Sequence, residues 1–160
     1  MKKFFLFISV IFSLSASAQV SGVSLTASGL TCSMCSNSIN KALKTLPFID
    51  KVEADIKNSS FTISFKSNNP VDFDKMKMKV EKAGFSVFEF VAIIQFNNVP
   101  VKRGQPVRIG DKVFLFKNIT DPILNGEKRI KVLNRGFVSP KEYKNNALVQ
   151  ASAGIYLVSI

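Results

Sequence analysis

Apolar and polar positions alternate from Val23 to Ser28, with Val23, Leu25 and Ala27 on one side and Ser24, Thr26 and Ser28 on the other. That is the period of a half-buried strand, and Gly29 ends it. From Cys35 the apolar positions step by four, four and three through Ile39, Leu43 and Leu46, with Ala42 in the same stripe. This spacing predicts an amphipathic helix, closed by Pro47. Val52, Ala54 and Ile56 alternate next, Asn58-Ser59-Ser60 is turn chemistry, and Phe61, Ile63 and Phe65 alternate again, so the pair reads as a hairpin. After a break at Ser67-Asn68-Asn69-Pro70, Phe73, Met76, Val80 and Ala83 form a second helical stripe that Gly84 stops. A hydrophobic strand follows from Phe85. The order strand–helix–strand–strand–helix–strand predicts a ferredoxin-like βαββαβ domain, with two helices on one face of an antiparallel sheet.

The pattern then changes. The run "FSVFEFVAIIQF" to Phe96 is longer than one ordinary strand, and it is expected to finish the first domain and begin a second near Phe90. Strand candidates follow at Val99–Lys102, Pro106–Ile109, Lys112–Phe116 and Arg129–Leu133, with two more within Ala147–Ile160. Gly104-Gln105, Gly110-Asp111, Asn125-Gly126 and Arg135-Gly136 punctuate them. The expected class is α+β: a ferredoxin-like domain at 19–90, then a small all-β barrel or sandwich at 91–160.

The N-terminus changes the picture of where the chain works. Lys2 and Lys3 precede an apolar run from Phe4 to Leu14, and Ala16-Ser17-Ala18 offers a small-x-small cleavage site before Gln19. That order predicts a cleavable signal peptide at 1–18 and a periplasmic or secreted protein. The run is too short to cross a bilayer, which takes about 20 residues, so the mature chain is not expected to span a membrane. The whole chain carries a formal charge of +11. Residues 20–90 hold nine Lys/Arg against seven Asp/Glu, whereas residues 91–160 hold eleven against four. An exported basic domain has little access to nucleic acid, so none is expected; the surplus reads first as solvated lysines that keep the protein soluble, and otherwise as contact with an anionic envelope surface or an acidic partner.

Candidate chemistry lies in "GLTCSMCSNSI", Gly29 to Ile39, which holds both cysteines of the 160 residues. The pair falls between the first strand and the first helix, with Cys35 in the helix's opening turn, where unpaired N–H groups and the positive end of the helix dipole favour a thiolate. Cys32 sits just upstream on a loop, so two sulfurs can converge on one ion. The chain has no histidine, which rules out imidazole sites for Cu(II) or Ni(II) and any Cys/His zinc site. Two thiolates suit a soft ion: Cu(I) first, then Hg(II) or Ag(I). Zn(II) wants four ligands, which would need a dimer or borrowed carboxylates.

Gly29-Leu30-Thr31-Cys32-Ser33-Met34-Cys35, followed by an amphipathic helix with Ile39 at an apolar core position, resembles the GMTCxxC motif of the heavy-metal-associated domain family. Ala83-Gly84-Phe85 is similar to that family's loop before the last strand. The family covers metallochaperones, the N-terminal domains of copper-transporting ATPases and the periplasmic mercury-binding protein. The likeness runs from about Val23 to Glu89, and its main departure is Leu30 where methionine is usual. The resemblance implies that Cys32 and Cys35 are the metal ligands, supported by Leu30 and Phe85. It also implies a metal-donor or metal-acceptor protein in the envelope as partner. Met34 is expected to face solvent, and Met76 to pack in the core rather than form a copper box with Met78.

The main rival is a thiol-disulfide oxidoreductase using the same two cysteines, but the chain lacks the larger strand–helix pattern and the aromatic-flanked pair of such enzymes. A permanent local disulfide would close too small a loop to constrain the unfolded chain much. Without histidine no Ser/His or Cys/His catalytic pairing exists, so the expected role is transfer of one ion by ligand exchange and not enzyme catalysis.

Overall fold

The computed structural model describes residues 17–30, 33–67, 69–146 and 154–160. The expected leader therefore lies outside the described residues, except for Ser17 and Ala18. The first half runs β1 (Ser17–Ser28), α1 (Ser33–Lys44), β2 (Ile49–Asp55), β3 (Ser60–Phe65), α2 (Phe73–Lys82) and β4 (Ser86–Pro100). Its strands lie in the order β2-β3-β1-β4, each pair antiparallel, and the helices pack on β2, on β4 and on each other. This is the ferredoxin-like arrangement that the hydrophobic pattern predicts. Val23 and Leu25 of β1, Ile39 and Leu43 of α1, Phe61 and Ile63 of β3, and Phe73, Met76 and Val80 of α2 all enter one core.

Local chemistry explains the boundaries. Asp72 caps α2, accepting the Lys75 backbone N–H at 2.9 Å, which satisfies one of the donors a helix start leaves open. At the other end Gly84 adopts φ 89°. Its N–H donates to the Glu81 carbonyl and the Phe85 N–H to the Val80 carbonyl, the paired bonds of a Schellman turn. In β1 the pairing shifts between Val20 and Gly22, and a side chain at Gly22 would stand 3.0 Å from the Ile63 carbonyl oxygen. Glycine is needed there for close backbone approach.

β2 departs from expectation. Ile49 and Val52 are buried, but Ala54 is exposed and Ile56 lies beyond the strand, 55% exposed. The pairing shifts between Ile49 and Lys51, which turns Ile49 to the same buried face as Val52, while Ile56 falls after the strand ends at Asp55. β1 begins at Ser17, so Ser17 and Ala18 pair with Asn97 and Phe96, two residues ahead of the expected cut.

The second half corrects the expectation more deeply. It contains β5 (Pro106–Ile109), β6 (Lys112–Phe116), β7 (Ile123–Val132), α3 (Pro140–Asn146) and β8 (Ile155–Ser159). These strands do not build a barrel or sandwich of their own. They extend the same sheet in the order β4-β7-β8-β6-β5, giving eight strands, and the sheet curls until β5 comes near β1. The physical cause is β4, 15 residues long, which runs unbroken through Phe90. From Val91 to Phe96 it pairs with β1 on one side and β7 on the other. The β1–β4 register shifts between Thr26 and Ala27, and the β4–β7 register between Phe96 and Val99, where Asn98 takes φ 50°. Across these bulges Val87, Phe90, Ala92, Ile94, Phe96 and Val99 are all buried. Nor is this half all-β: α3 starts with the Ser139 hydroxyl accepting the Glu142 N–H at 3.2 Å.

One aromatic cluster joins the halves. Phe73 of α2 lies 4.9 Å from Phe90, 5.3 Å from Tyr156 and 6.4 Å from Phe114, measured between ring centroids. Phe137, in the turn after β7, stands edge-on to Phe90 at 5.1 Å and to Tyr156 at 5.9 Å, both favourable geometries. The Tyr156 hydroxyl donates to Asp74 at 2.9 Å. Lys131 of β7 bridges Glu89 and Glu142 at 2.8 and 2.9 Å, tying α3 to β4.

Candidate metal centre

The C-terminal end of β1, the N-terminal end of α1, the β2–β3 turn and the α2–β4 turn meet at one end of the sheet, as the pairings Thr26 with Ser60 and Ser28 with Ser86 require. Gly29, at φ 80°, turns the chain out of β1. Cys35 lies half-buried in the opening turn of α1. No acidic side chain occupies that turn, while Lys41 and Lys44 occupy the last. The positive end of a helix dipole is a place where a thiolate is favoured over a thiol. Thr31 and Cys32, the other half of the motif, lie outside the described residues.

Leu30 and Phe85 are both partly buried against the main core. The Schellman turn places the Phe85 backbone at this end of the sheet, with its N–H donating to the Val80 carbonyl. Ser59, read from the sequence only as part of a turn, has a further role. It takes φ 51°, its carbonyl accepts the Ala27 N–H at 3.2 Å, and its hydroxyl makes a long 3.5 Å contact with the Leu30 carbonyl. The β2–β3 turn therefore braces the loop that leads to the cysteines. The only signal available was the turn chemistry of Asn58-Ser59-Ser60, which gives the turn but not its neighbour.

Hydrogen bonds from the Asn58 side-chain amide and backbone N–H, at 2.7 and 3.1 Å, hold the Asp55 carboxyl below the usual carboxylate range. Met34 is 79% exposed and Met76 fully buried, as expected, with Met78 at 44%. Among the described residues no three Cys, Asp or Glu side chains gather as a metal-binding group. Among the described residues, too, no helix is long and apolar enough to cross a membrane.

Residues 24–86 match the heavy-metal-associated domain family. A copper-transporting ATPase of Helicobacter pylori is 34% identical over 58 residues, which is 36% of this chain and 8% of that protein. A probable copper-transporting ATPase of Arabidopsis thaliana is 40% identical over 57 residues, 36% of this chain and 6% of that protein. The chain thus spans under a tenth of the length of these relatives. Among solved structures, the yeast copper transporter domain Ccc2a is 28% identical, covering 42% of this chain and 90% of that one, with a TM-score of 0.38.

Proposed function

We propose, from the premise that residues 24–86 are a heavy-metal-associated domain, that this chain is an exported carrier of one soft metal ion. The ion is Cu(I) in the first place, held between Cys32 and Cys35. The observation that carries this reading is that the two cysteines of the whole chain both fall inside the matched domain, with Cys35 at the unneutralised positive end of α1. Two thiolates suit Cu(I), and by the same chemistry Hg(II) and Ag(I). The names of the matching ATPases favour copper. Export is supported by the charged, apolar and small-residue order of residues 2–18.

The mechanism is ligand exchange. A partner's thiolate adds to the two-coordinate ion, a three-coordinate bridge forms, and one cysteine leaves as its thiolate. The ion keeps its charge and no substrate bond is made or broken, so the action is carriage and not catalysis. The partner is a metal-donor or metal-acceptor protein of the cell envelope. The surplus of lysine and arginine beyond residue 90 favours approach to an acidic partner or anionic surface.

The test is to mix the Cu(I)-loaded chain with an empty heavy-metal-associated domain of a copper-transporting ATPase, separate the two, and measure copper on each. Copper is expected on both proteins after brief mixing, with the thiols still reduced. Copper that stays put, or a mixed disulfide between the proteins, would turn the assignment toward the oxidoreductase reading.

A further inference from the structure

At the end of β1 away from the cysteine loop, the curled sheet leaves a cavity of about 550 Å³ between the start of β1, the connection from β3 to α2, and the β5–β6 turn. Its volume lies within the roughly 300–1,000 Å³ usual for small-molecule sites. We propose that this cavity binds a small carboxylate, anchored by Lys112. The proposal is independent of the metal reading.

Lys112 is 5% exposed, and a buried ammonium is costly unless it is paired. Its ammonium donates to the Val71 carbonyl and to the Asp111 carboxylate, the latter at 2.6 Å, and stands 5.2 Å from the centre of the Phe73 ring. The carbonyl and the ring are fixed parts of the core. Asp111 is not: its side chain is 62% exposed on a turn beside Gly110. The anion on this buried cation is therefore a surface carboxylate, and an exposed partner is held only weakly. A carboxylate entering the cavity meets the same ammonium and displaces Asp111 into water, where it stays solvated.

The rest of the wall suits such a ligand. Lys66 and Gln95 line it, offering a second positive charge and an amide. β3 pairs with β1 only from Gly22 onward, so among the described residues Gln19–Ser21, which stay with the chain after the expected cut and line the cavity, have no β3 ladder partner and can turn backbone N–H groups toward a ligand. These are the donors that a carboxylate needs, on two sides of one cavity.

The test is amide chemical-shift mapping of the full chain during titration with succinate, its neutral analogue succinamide, trialanine and trialanine amide. Succinate or trialanine is expected to shift the amides of Ser21, Val71 and Gly110–Lys112, while the two amides, which lack the free carboxylate, leave them unmoved. Lys112→Met should abolish the response. Asp111→Asn, which removes the competing carboxylate, should tighten binding about two- to fivefold, the scale of one exposed ion pair. A response to succinate alone assigns the cavity to free organic acids, and a response to trialanine alone assigns it to peptide C-termini. Shifts equal for acid and amide, or weaker binding in Asp111→Asn, would overturn the proposal even if Lys112→Met failed to fold.

Discussion

The phenol of Tyr156 connects a strand near the C-terminus to α2, donating to Asp74 within a nest of Phe73, Phe114 and Phe137. Burial first, and then the hydrogen bond to the Asp74 carboxylate, push its pKa far up. A group whose pKa is raised by folding contributes stability that is complete below its unfolded value, about 10, and is lost as pH climbs above that value. The denaturation midpoint should therefore fall above about pH 10. Tyr156→Phe should cost about 1 kcal/mol at neutral pH, discounted because Asp74 is half exposed, and should flatten the alkaline fall. A midpoint with the same alkaline slope in both proteins would remove Tyr156 from the account. At the other end, Met34 stands 79% exposed, and Met34→Leu should leave Cu(I) affinity unchanged in a competition titration. The place of Cys35 at the head of a helix was legible in "GLTCSMC", because the apolar stripe of Ile39 and Leu43 fixes the helix phase. The bracing by Ser59 was not, since it depends on which turn lies beside the loop.

Elements show where a one-dimensional pattern loses information. Along β4 the apolar residues sit side by side, as in Val87-Phe88 and Phe90-Val91-Ala92-Ile93-Ile94. A run with no alternation cannot announce a bulge, yet the bulges decide which residues enter the core. Helix α3 was signalled by Ser139-Pro140-Lys141-Glu142, a cap residue, proline at the first position and glutamate at the third. With no apolar stripe the signal went unread. β5 and β6, by contrast, have the bounds that the pattern gives, since Gly104 and Gly110 mark their ends. Gly22 offers a direct test at this scale. Gly22→Ala would press a methyl on the Ile63 carbonyl at 3.0 Å, and should destabilise the chain by about 1–3 kcal/mol in urea unfolding. An unchanged midpoint would mean that the β1–β3 approach is looser than described.

Taken as a whole, the molecule shares one core between a metal-type domain and its extension. Phe73 and Phe90 belong to the first half by sequence, but Phe114, Phe137 and Tyr156 of the second half cover them. The composition step near residue 90 is real in charge, yet no break in the sheet accompanies it, because hydrogen bonding along β4 is blind to surface charge. Cutting after Phe90 should leave a fragment 19–90 at least about 3 kcal/mol less stable than the full chain, with exposed apolar surface detectable by dye binding. The full chain should unfold in a single transition. Two separated transitions, with the fragment as stable as its counterpart, would make the halves independent.

The central claim, that Cys32 and Cys35 together hold one soft ion, is tested most directly by a competition titration of the reduced chain with Cu(I) against a chromophoric chelator, with Cys32→Ser/Cys35→Ser alongside. The account predicts one ion per chain, bound tightly and lost in the double variant. Equal binding by both proteins, or none by either, would contradict it.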